Sequence, residues 1–377
     1  MNIVLMYGGR SGEHEISLLS CASVARNVSS KHNVKLISVD KDGKWYLEDD
    51  SVLKELKNDS KAVLKVHANK ENRVSIVPGS DKNSVLVANG KTIPCDVVFP
   101  VMHGTYSEDG TIQGLFEMAG LPYVGCQTLS SAATMDKEFT KILWKNAGLP
   151  VVPYVCMTRT DVNNKDLYDA KFAEAIEMLQ FPLFVKPCCA GSSDGASKAN
   201  NERELSMALA EAFMWDNKVL IEKAIDAREV ECSVTGNSVT VDSEVKETEL
   251  KAYGPGEIVP NHEFYDYDAK YNDPNGASLK IPALLDDQKL GYIRATAKKA
   301  YSAVNAAGLS RVDFFIDRKS GEIYLNEINT MPGFTSISMF PKMCESEGLK
   351  FCDLVDLLCT EALSAFDAKN KLTTSRQ

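Results

Sequence analysis

Residues 311–329 read RVDFFIDRKSGEIYLNEIN, and this stretch predicts an antiparallel β-hairpin whose turn is centred near Ser320. Polar and apolar side chains alternate on both sides of the turn, and residues two apart in a strand share a face. The polar face is predicted to carry two cross-strand pairs, Arg311 opposite Asn329 and Asp313 opposite Glu327. The residues of the other face, which we expect to be buried, are Val312, Phe314, Ile316 and Ile328.

The polar face has the composition of a site for Mg²⁺ and phosphate. Two carboxylates and an amide supply the oxygen ligands that Mg²⁺ prefers, and a fixed guanidinium lies beside them. Phosphoryl transfer from Mg²⁺-ATP requires this kind of positioning and charge neutralisation. Taken alone, the pattern also fits a solvated hairpin face with cross-strand ion pairs.

Other segments support the nucleotide interpretation. The turn Thr330-Met-Pro-Gly333 could direct backbone amides at an oxyanion, and hydroxyl side chains follow it. Lys137, Lys186 and Lys223 each stand at an element end, and the small-residue loop 191–195 follows one of these lysines. Lysine beside such a loop is suited to holding phosphates, so the segments together predict a nucleotide cleft.

The first third of the chain predicts a parallel α/β domain. Residues 3–7 are apolar, a glycine turn follows at 8–12, and helical spacing begins after it, with further strands at 34–39 and 95–101. Asp136 is predicted as the N-cap of a helix. The residues expected on one face of that helix are Phe139, Ile142, Leu143 and Ala147.

Composition limits the classes of partner. A net charge of −10 over 377 residues, without a basic tract, argues against nucleic acid and anionic membranes. No segment approaches the roughly 20 apolar residues of a membrane span, and the start does not read as a signal peptide, so we expect a cytoplasmic protein. Ten scattered cysteines and five histidines without zinc spacing predict reduced thiols and no zinc site.

Taken in order, these segments resemble the D-alanine–D-alanine ligase family of the ATP-grasp class over about residues 1–365. The matching segments are GGRSGEHEIS at 8–17, HGTYSEDGTIQG at 103–114, LPYVG at 121–125, SSAATMDK at 130–137, VKPCCAGSSDG at 185–195, VLIEK at 219–223, EFYDYDAKY at 263–271, RVDFF at 311–315 and NEINTMPGFTSIS at 326–338. Their number and order make the resemblance highly specific.

The resemblance implies a fold and a domain order. The expected fold is α/β: an N-terminal, Rossmann-like parallel-sheet domain followed by a two-lobed ATP-grasp module of α+β type. The implied boundaries are 1–127 for the N-terminal domain, 128–217 for the central subdomain, 218–365 for the C-terminal subdomain with the metal and substrate site, and 366–377 for a polar tail.

It also implies a reaction and its small molecules. The expected activity joins two D-alanines with ATP through an acyl-phosphate, releasing ADP and phosphate, for peptidoglycan precursor synthesis. The expected cofactors are ATP and two Mg²⁺ ions, with Mn²⁺ as a substitute, and the expected assembly is a homodimer. The metal ligands implied are Asp313, Glu327 and Asn329.

Individual site residues follow from the matched segments. The nucleotide contacts implied are Lys137, Lys186, Ser193 and Lys270 toward the phosphates, Glu222, Lys223 and Ile225 toward adenine, and Glu229 toward ribose. The substrate contacts implied are Glu15 for the ammonium of the first D-alanine, His103 near its carboxylate, and Ser338 with the Met339 backbone for the second. The catalytic set is completed by Arg311 and the Gly333 amide at the reacting centre, and by Ser192 linking Glu15 to Tyr271.

The sequence departs from the family in the phosphate loop. Ala190 and Asp194 flank Gly-Ser-Ser where relatives carry a polar and an apolar residue, and Met331 stands where a small polar residue is usual. An extra carboxylate there should weaken nucleotide binding unless it points outward or pairs with a cation. Cys188 and Cys189, if exposed, would make activity oxidant-sensitive, and two buried thiols are the alternative.

Three other functions are compatible with parts of the sequence. A nicotinamide-dependent dehydrogenase would explain the strand, glycines, helix and Asp40, but GGRSG is not GxGxxG. Another ATP-grasp ligase is opposed by the expected amino-acid pocket, and a non-catalytic nucleotide-binding regulator by the intact hairpin face. The pair Lys270-Tyr271 favours D-alanine over D-lactate as second substrate and leaves D-serine open.

Overall fold

The computed structural model describes residues 1–81, 83–239, 245, 248–260 and 277–373. The N-terminal part contains β1 (Asn2–Gly8), α1 (His14–Asn27), β2 (Asn33–Val39), β3 (Trp45–Leu47), α2 (Asp50–Asn58), a 3₁₀ turn (Lys70–Asn72), β4 (Val74–Ile76), β5 (Leu86–Ala88), β6 (Lys91–Thr92), β7 (Val97–Pro100) and α3 (Thr111–Ala119). Strand β1 runs parallel to both β2 and β7 in a sheet of order β3-β2-β1-β7. The predicted parallel α/β arrangement is therefore present.

A second, antiparallel sheet follows. The elements are α4 (Thr128–Met135), α5 (Lys137–Asn146), β8 (Tyr154–Thr158), α6 (Arg159–Val162), α7 (Lys165–Leu179), β9 (Leu183–Pro187), β10 (Ser197–Ala199), α8 (Glu202–Trp215) and β11 (Lys218–Lys223). The strand order is β10-β9-β11-β8. Apolar residues of α7 and α8 form one core cluster with the strands, so these helices cover one face of the sheet.

The remaining strands form a five-stranded antiparallel sheet, β14-β13-β12-β15-β16. The elements are β12 (Ala227–Asn237), β13 (Lys251–Pro260), β14 (Ala277–Lys280), α9 (Asp287–Ala303), β15 (Ala307–Asp317), β16 (Ile323–Asn329), α10 (Met339–Ser346) and α11 (Phe351–Asn370). Within the described residues, no helix is long and apolar enough to cross a membrane.

Helix α5 begins as predicted, but it buries a different face. Asp136 caps it by accepting hydrogen bonds from the backbone amides of Glu138 and Phe139. Phe139 is 55% exposed and Ile142 45%, whereas Trp144 and Lys141 are fully buried. Ala147, the C-cap residue, is exposed as well. The predicted apolar face was therefore wrong at Phe139, Ile142 and Ala147, because the indole and the lysine take the core side and the lysine has a charged partner there.

Phe334 ties the N-terminal sheet to the C-terminal helices. Its side chain is fully buried and packs edge-on against Phe99 of β7, with ring centroids 5.7 Å apart. Phe340 of α10 and Phe351 of α11 contact the same ring at 5.6 and 5.9 Å. This aromatic cluster fixes the end of the turn that follows β16, which is where the predicted oxyanion contact lies.

Candidate active site

The hairpin face has the predicted register. Arg311 pairs with Asn329 and Asp313 with Glu327 across β15 and β16. The guanidinium of Arg311 donates two hydrogen bonds of 2.7 Å to the two oxygens of the Asp313 carboxylate. Asn329 Nδ2 donates to Asp313 Oδ2 at 3.0 Å. The alternation of polar and apolar residues was therefore sufficient to predict which side chains form this face.

Glu231 is a site residue that we did not predict. It lies opposite Asp313 on β12, is 7% exposed, and its Oε2 is 3.0 Å from Arg311 Nε. Burial disfavours the charge of Arg311, but Asp313 and Glu231 outweigh it and raise the pKa of the guanidinium. The strict alternation of polar and apolar residues in 229–234 is the signal that could have identified Glu231.

Two predicted phosphate lysines lie beside the hairpin face. Lys137 Nζ donates to the Ala190 carbonyl at 2.6 Å and is 3.8 Å from Glu327 Oε2. Lys186 Nζ donates to Asn326 Oδ1 at 3.1 Å. Ammonium groups from two elements thus converge on the strand that carries the predicted metal ligands.

Lys186 also meets the carboxylate predicted to contact adenine. Its ammonium is 2.8 Å from Glu222 Oε2, and the ammonium of Lys141 is 2.6 Å from Glu222 Oε1. Burial opposes ionisation of Glu222, but Lys141 and Lys186 outweigh it and keep the pKa of the carboxyl below its usual value. Sequence reasoning missed Lys141, because a lysine in an amphipathic helix usually faces solvent.

The loop after β9 is held in a strained conformation. Ser192 and Ser193 have φ of +51° and +64°, in the left-handed region. Asp194 is half-buried, and desolvation together with Glu13 raises the pKa of its carboxyl. The carboxylate of Asp194 is therefore not fully exposed to solvent, and the charge of Glu13 opposes its ionisation.

The two adjacent thiols of this region are shielded. Cys188 is fully buried, and a hydrogen bond with Cys156 together with burial raises the pKa of its thiol. Desolvation raises the pKa of Cys189 to about 12. Reactivity requires the thiolate, so the structure favours the alternative of two inert thiols over oxidant sensitivity.

The predicted link between Ser192 and Glu15 is wrong. Ser192 Oγ donates to Glu13 Oε1 at 2.5 Å. Glu15 points away, is exposed, and pairs with Lys41 at 2.6 Å. The reason is local geometry: Glu13 precedes α1 and points into the cleft, whereas Glu15 lies in the first helical turn on the solvent side.

Two glycines make room for the Glu13 carboxylate. A Cβ at Gly104, which has φ of +74°, would lie 2.8 Å from Glu13 Oε2, and one at Gly191 would lie 3.2 Å from the same atom. The glycine-rich loops 8–12, 103–110 and 188–195 therefore meet around this carboxylate. The pocket can receive an ammonium group.

His103 is committed to contacts within the protein. Its Nδ1 lies 3.0 Å from the Met331 carbonyl and its Nε2 2.9 Å from Ser20 Oγ. Ser20 Oγ also accepts the backbone N–H of Phe334 at 3.2 Å. Burial lowers the pKa of the imidazole, but Glu108 and Glu13 outweigh it and raise the net value. The structure therefore places His103 behind the 331–334 turn, with Ser20 as a second residue that the sequence did not reveal.

The end of the site is built from the turn and the start of α10. A Cβ at Gly333 would lie 2.7 Å from Ser338 Oγ, so the two residues are in close contact. Ser338 Oγ accepts a hydrogen bond from the Thr335 amide at 2.9 Å. Ser338 is the N-cap residue of α10, and the buried Met339 is the first residue of that helix. These residues therefore lie together where the turn meets α10.

The remaining predicted residues have less defined contacts. Lys223 is exposed, and Ile225 and Glu229 are half-buried, where β11 leads into β12. Ser193 is exposed in the phosphate loop. Lys270 and Tyr271 lie outside the described residues.

Comparison with known proteins identifies relatives along almost the whole chain. Residues 2–126 match the family described as D-ala D-ala ligase N-terminus, and residues 143–360 match D-ala D-ala ligase C-terminus. A D-alanine–D-alanine ligase of Treponema denticola is 51% identical over 377 residues, covering 100% of both chains.

Solved structures agree. A D-alanine–D-alanine ligase from Coxiella burnetii has a TM-score of 0.82 at 31% identity, covering 98% of this chain and 96% of the other. The VanG D-Ala:D-Ser ligase of Enterococcus faecalis has a TM-score of 0.79 at 35% identity, covering 96% and 99%. These similarities confirm the prediction of an ATP-grasp fold.

Proposed function

This chain belongs to the D-alanine–D-alanine ligase family, and we propose that it joins two D-alanine molecules in an ATP-dependent reaction. The observation that carries the proposal is the juxtaposition of two sites. The phosphate-facing lysines and hairpin carboxylates adjoin the loop 188–195, and the same loop closes the Glu13 pocket. One cleft can thus hold a nucleotide and an amino acid together.

The reaction begins at the first D-alanine. Glu13, held by Ser192, binds its ammonium, which leaves the carboxylate directed toward the nucleotide. A carboxylate oxygen attacks the γ-phosphorus of ATP, the bond to the β-phosphate oxygen breaks, and ADP leaves. Lys137 and Lys186 hold the phosphates, and Arg311 offsets the charge that develops on the transferred group.

The second half-reaction forms the amide. The amine of the second D-alanine, in its neutral form, attacks the acyl carbon, and the resulting oxyanion is stabilised by Arg311 and the Gly333 amide. The C–O bond to phosphate then breaks, the nitrogen loses its extra proton, and phosphate leaves. Ser338 and the Met339 backbone bind the second carboxylate.

The donor set on the hairpin fits Mg²⁺. No cluster of three His, Cys, Asp or Glu side chains suited to a metal occurs among the described residues, and the predicted set has two carboxylates, Asp313 and Glu327, with the Asn329 amide. Mg²⁺ commonly takes one or two carboxylates and completes its shell with substrate phosphates and water. When bound, it neutralises phosphate charge. We propose two ions, with Mn²⁺ as a substitute.

The wider biological role follows from the reaction. We propose that the dipeptide supplies peptidoglycan precursors in the cytoplasm, and that the net charge of −10 makes small molecules the partners rather than nucleic acid or membranes. The proposed boundaries are 1–127, 128–217 and 218–365, with a tail at 366–377. A homodimer is also proposed, as the resemblance implies.

Phosphate release tests the proposal. Purified enzyme with ATP and Mg²⁺ receives D-alanine, L-alanine, D-serine or D-lactate singly and in pairs, and product masses are determined. We expect release that requires D-alanine and a product with the mass of D-alanyl-D-alanine. Release only with D-alanine plus D-serine would move the second substrate, as in the name of the VanG relative, and no release with any pair would refute the proposal.

A further inference from the structure

Lys141 is a buried cation to which no role in the reaction has been assigned. Its side chain is fully buried on α5, one turn before the buried Trp144. Lysine is almost never fully buried unless it is paired, because removing an ammonium group from water is costly. Its partner is Glu222 on β11, with 2.6 Å between Nζ and Oε1. Burial lowers the pKa of the ammonium below its usual value, and the Glu222 carboxylate opposes that shift.

The surrounding sheet explains how the charges come together. Lys186 lies opposite Leu220 and Tyr154 opposite Glu222, so Lys186, Glu222 and Tyr154 share the sheet face that meets α5. The Tyr154 ring lies 5.9 Å from the Lys141 ammonium. Glu222 is 2% exposed and is shared between two ammonium groups, Lys141 and Lys186.

The two lysines differ in their access to the nucleotide cleft. Lys186 is 7% exposed and also contacts Asn326, the neighbour of Glu327, so its ammonium reaches the edge of the nucleotide cleft. Lys141 has no exposed surface and contacts Oε1 of Glu222, whereas Lys186 contacts Oε2. A phosphate in the cleft would therefore compete for Lys186 and leave Lys141 in place.

We infer that Lys141 is a positioning residue for nucleotide binding: it is the fixed counter-ion that holds Glu222 ionised and in place while Lys186 moves from Glu222 to the ATP phosphates. The inference rests on the proposed ATP-dependent function. Among the described residues, Glu222 without Lys141 would keep only Lys186 as a cationic partner, and binding ATP would require either a buried unpaired carboxylate or its protonation.

Nucleotide affinity of folded variants tests the inference. Lys141→Met should raise the Kd for ATP by roughly tenfold or more, with kcat at saturating ATP changed by less than about threefold. Titration calorimetry with ATP alone, without amino acid, gives the affinity directly. Lys145→Met is the matched control, since Lys145 is exposed on the next turn of α5 and lies 5.4 Å from the same Tyr154 ring.

A double variant and a second nucleotide separate positioning from general destabilisation. Adding Glu222→Gln to Lys141→Met removes the uncompensated carboxylate, so the double variant should bind ATP about as tightly as Glu222→Gln alone. Inosine triphosphate has a carbonyl in place of the 6-amino group of ATP. The ratio of its Kd to that of ATP should be smaller for Lys141→Met than for the parent enzyme, because Glu222 no longer presents a fixed acceptor to the amino group. Lys141→Gln keeps a hydrogen-bond donor should the methionine variant not fold, and it should show the same loss.

The outcomes are distinct. Unchanged ATP affinity in a folded Lys141 variant would overturn the inference, as would a double variant that binds ATP clearly more weakly than Glu222→Gln alone. A parent enzyme that binds no ATP would instead contradict the proposed function. Lowered thermal stability with parental affinity and parental nucleotide preference would make Lys141 a structural residue only.

Discussion

Ser192 donates a 2.5 Å hydrogen bond to Glu13, and this contact joins the N-terminal loop to the phosphate loop across 179 residues of chain. Ser192 reaches it from a left-handed backbone conformation, with φ of +51°. The strained serine and the glycines around Glu13 place a carboxylate where the resemblance alone had placed Glu15.

Glu13 and Glu15 therefore provide a matched pair of substitutions. Glu13→Gln should raise the KM for the first D-alanine by roughly 30-fold or more, since truncating one member of a shielded charge pair costs about 2–5 kcal/mol. Glu15→Gln should stay within about twofold, because exposed ion pairs such as Glu15–Lys41 contribute ~0–1 kcal/mol. Steady-state kinetics with varied D-alanine would check both, and the reverse ranking would restore Glu15 as the ammonium ligand.

The hairpin carboxylates can be tested in the same way. Glu327→Gln should lower kcat by roughly 100-fold or more and raise the Mg²⁺ concentration needed for half-maximal rate, since metal neutralisation of phosphate charge is worth several kcal/mol. Glu322→Gln is the control, because Glu322 is exposed on the same hairpin and its carboxylate accepts hydrogen bonds from the nearby Ser320 and Tyr324. Parental turnover and Mg²⁺ dependence in Glu327→Gln would remove it from the metal site.

Ser20 should influence catalysis through the 331–334 turn. Ser20→Ala removes a partner from both His103 and the Phe334 amide, and an unsatisfied buried group costs about 1–3 kcal/mol. We expect kcat to fall about 5- to 100-fold with the KM for ATP unchanged. Ser23→Ala, a half-buried position on the same helix, should be neutral. Equal kinetics for the two variants would show that the turn does not depend on this contact.

Stability should fall as pH rises because of Glu361. This carboxyl is 1% exposed and accepts a hydrogen bond from Asn237 at 2.7 Å, and burial raises its pKa from 4.5 to about 7. A raised native pKa stabilises the fold fully below the unfolded value and loses that contribution as pH passes the native value. At ~1.4 kcal/mol per pKa unit the effect is at most about 3.5 kcal/mol.

The Glu361→Gln variant isolates this effect. Glutamine keeps an acceptor for Asn237 and cannot ionise, so the variant should match the parent near pH 4.5 and unfold at higher denaturant than the parent at pH 8. Urea unfolding at several pH values would measure the difference. A constant difference across this range would show that Glu361 is not the titrating group.

The sequence predicted those parts of the site that depend on a simple period. Alternation in residues 311–329 placed Asp313 opposite Glu327, because a strand offers only two faces and the apolar one must be buried. The assignment of the ammonium ligand to Glu15 instead of Glu13 failed for a different reason. Glu13 is the N-cap of α1 and Glu15 lies in its first turn, where the direction of each side chain depends on three converging loops.

Lys141 shows a second limit. The helical pattern identified α5 and its cap, yet the burial of a lysine depends on a carboxylate 81 residues later in the chain, on β11. A prediction from periodicity places charged residues on the solvent-exposed face of a helix. The buried partner of Lys141 becomes visible once the strands of the sheet are in place. The contact of Lys186 with Glu222 was likewise inaccessible, since the two residues had been assigned to opposite ends of the nucleotide.

The most direct test of the proposed reaction follows oxygen from D-alanine to phosphate. Enzyme, ATP and Mg²⁺ are incubated with D-alanine labelled with ¹⁸O in the carboxylate, and the released phosphate and the dipeptide are analysed by mass spectrometry. Phosphorylation of the carboxylate predicts one ¹⁸O atom in each phosphate released, with one D-alanyl-D-alanine formed per phosphate. Unlabelled phosphate beside the dipeptide would contradict the acyl-phosphate, and the absence of dipeptide would contradict the ligase itself.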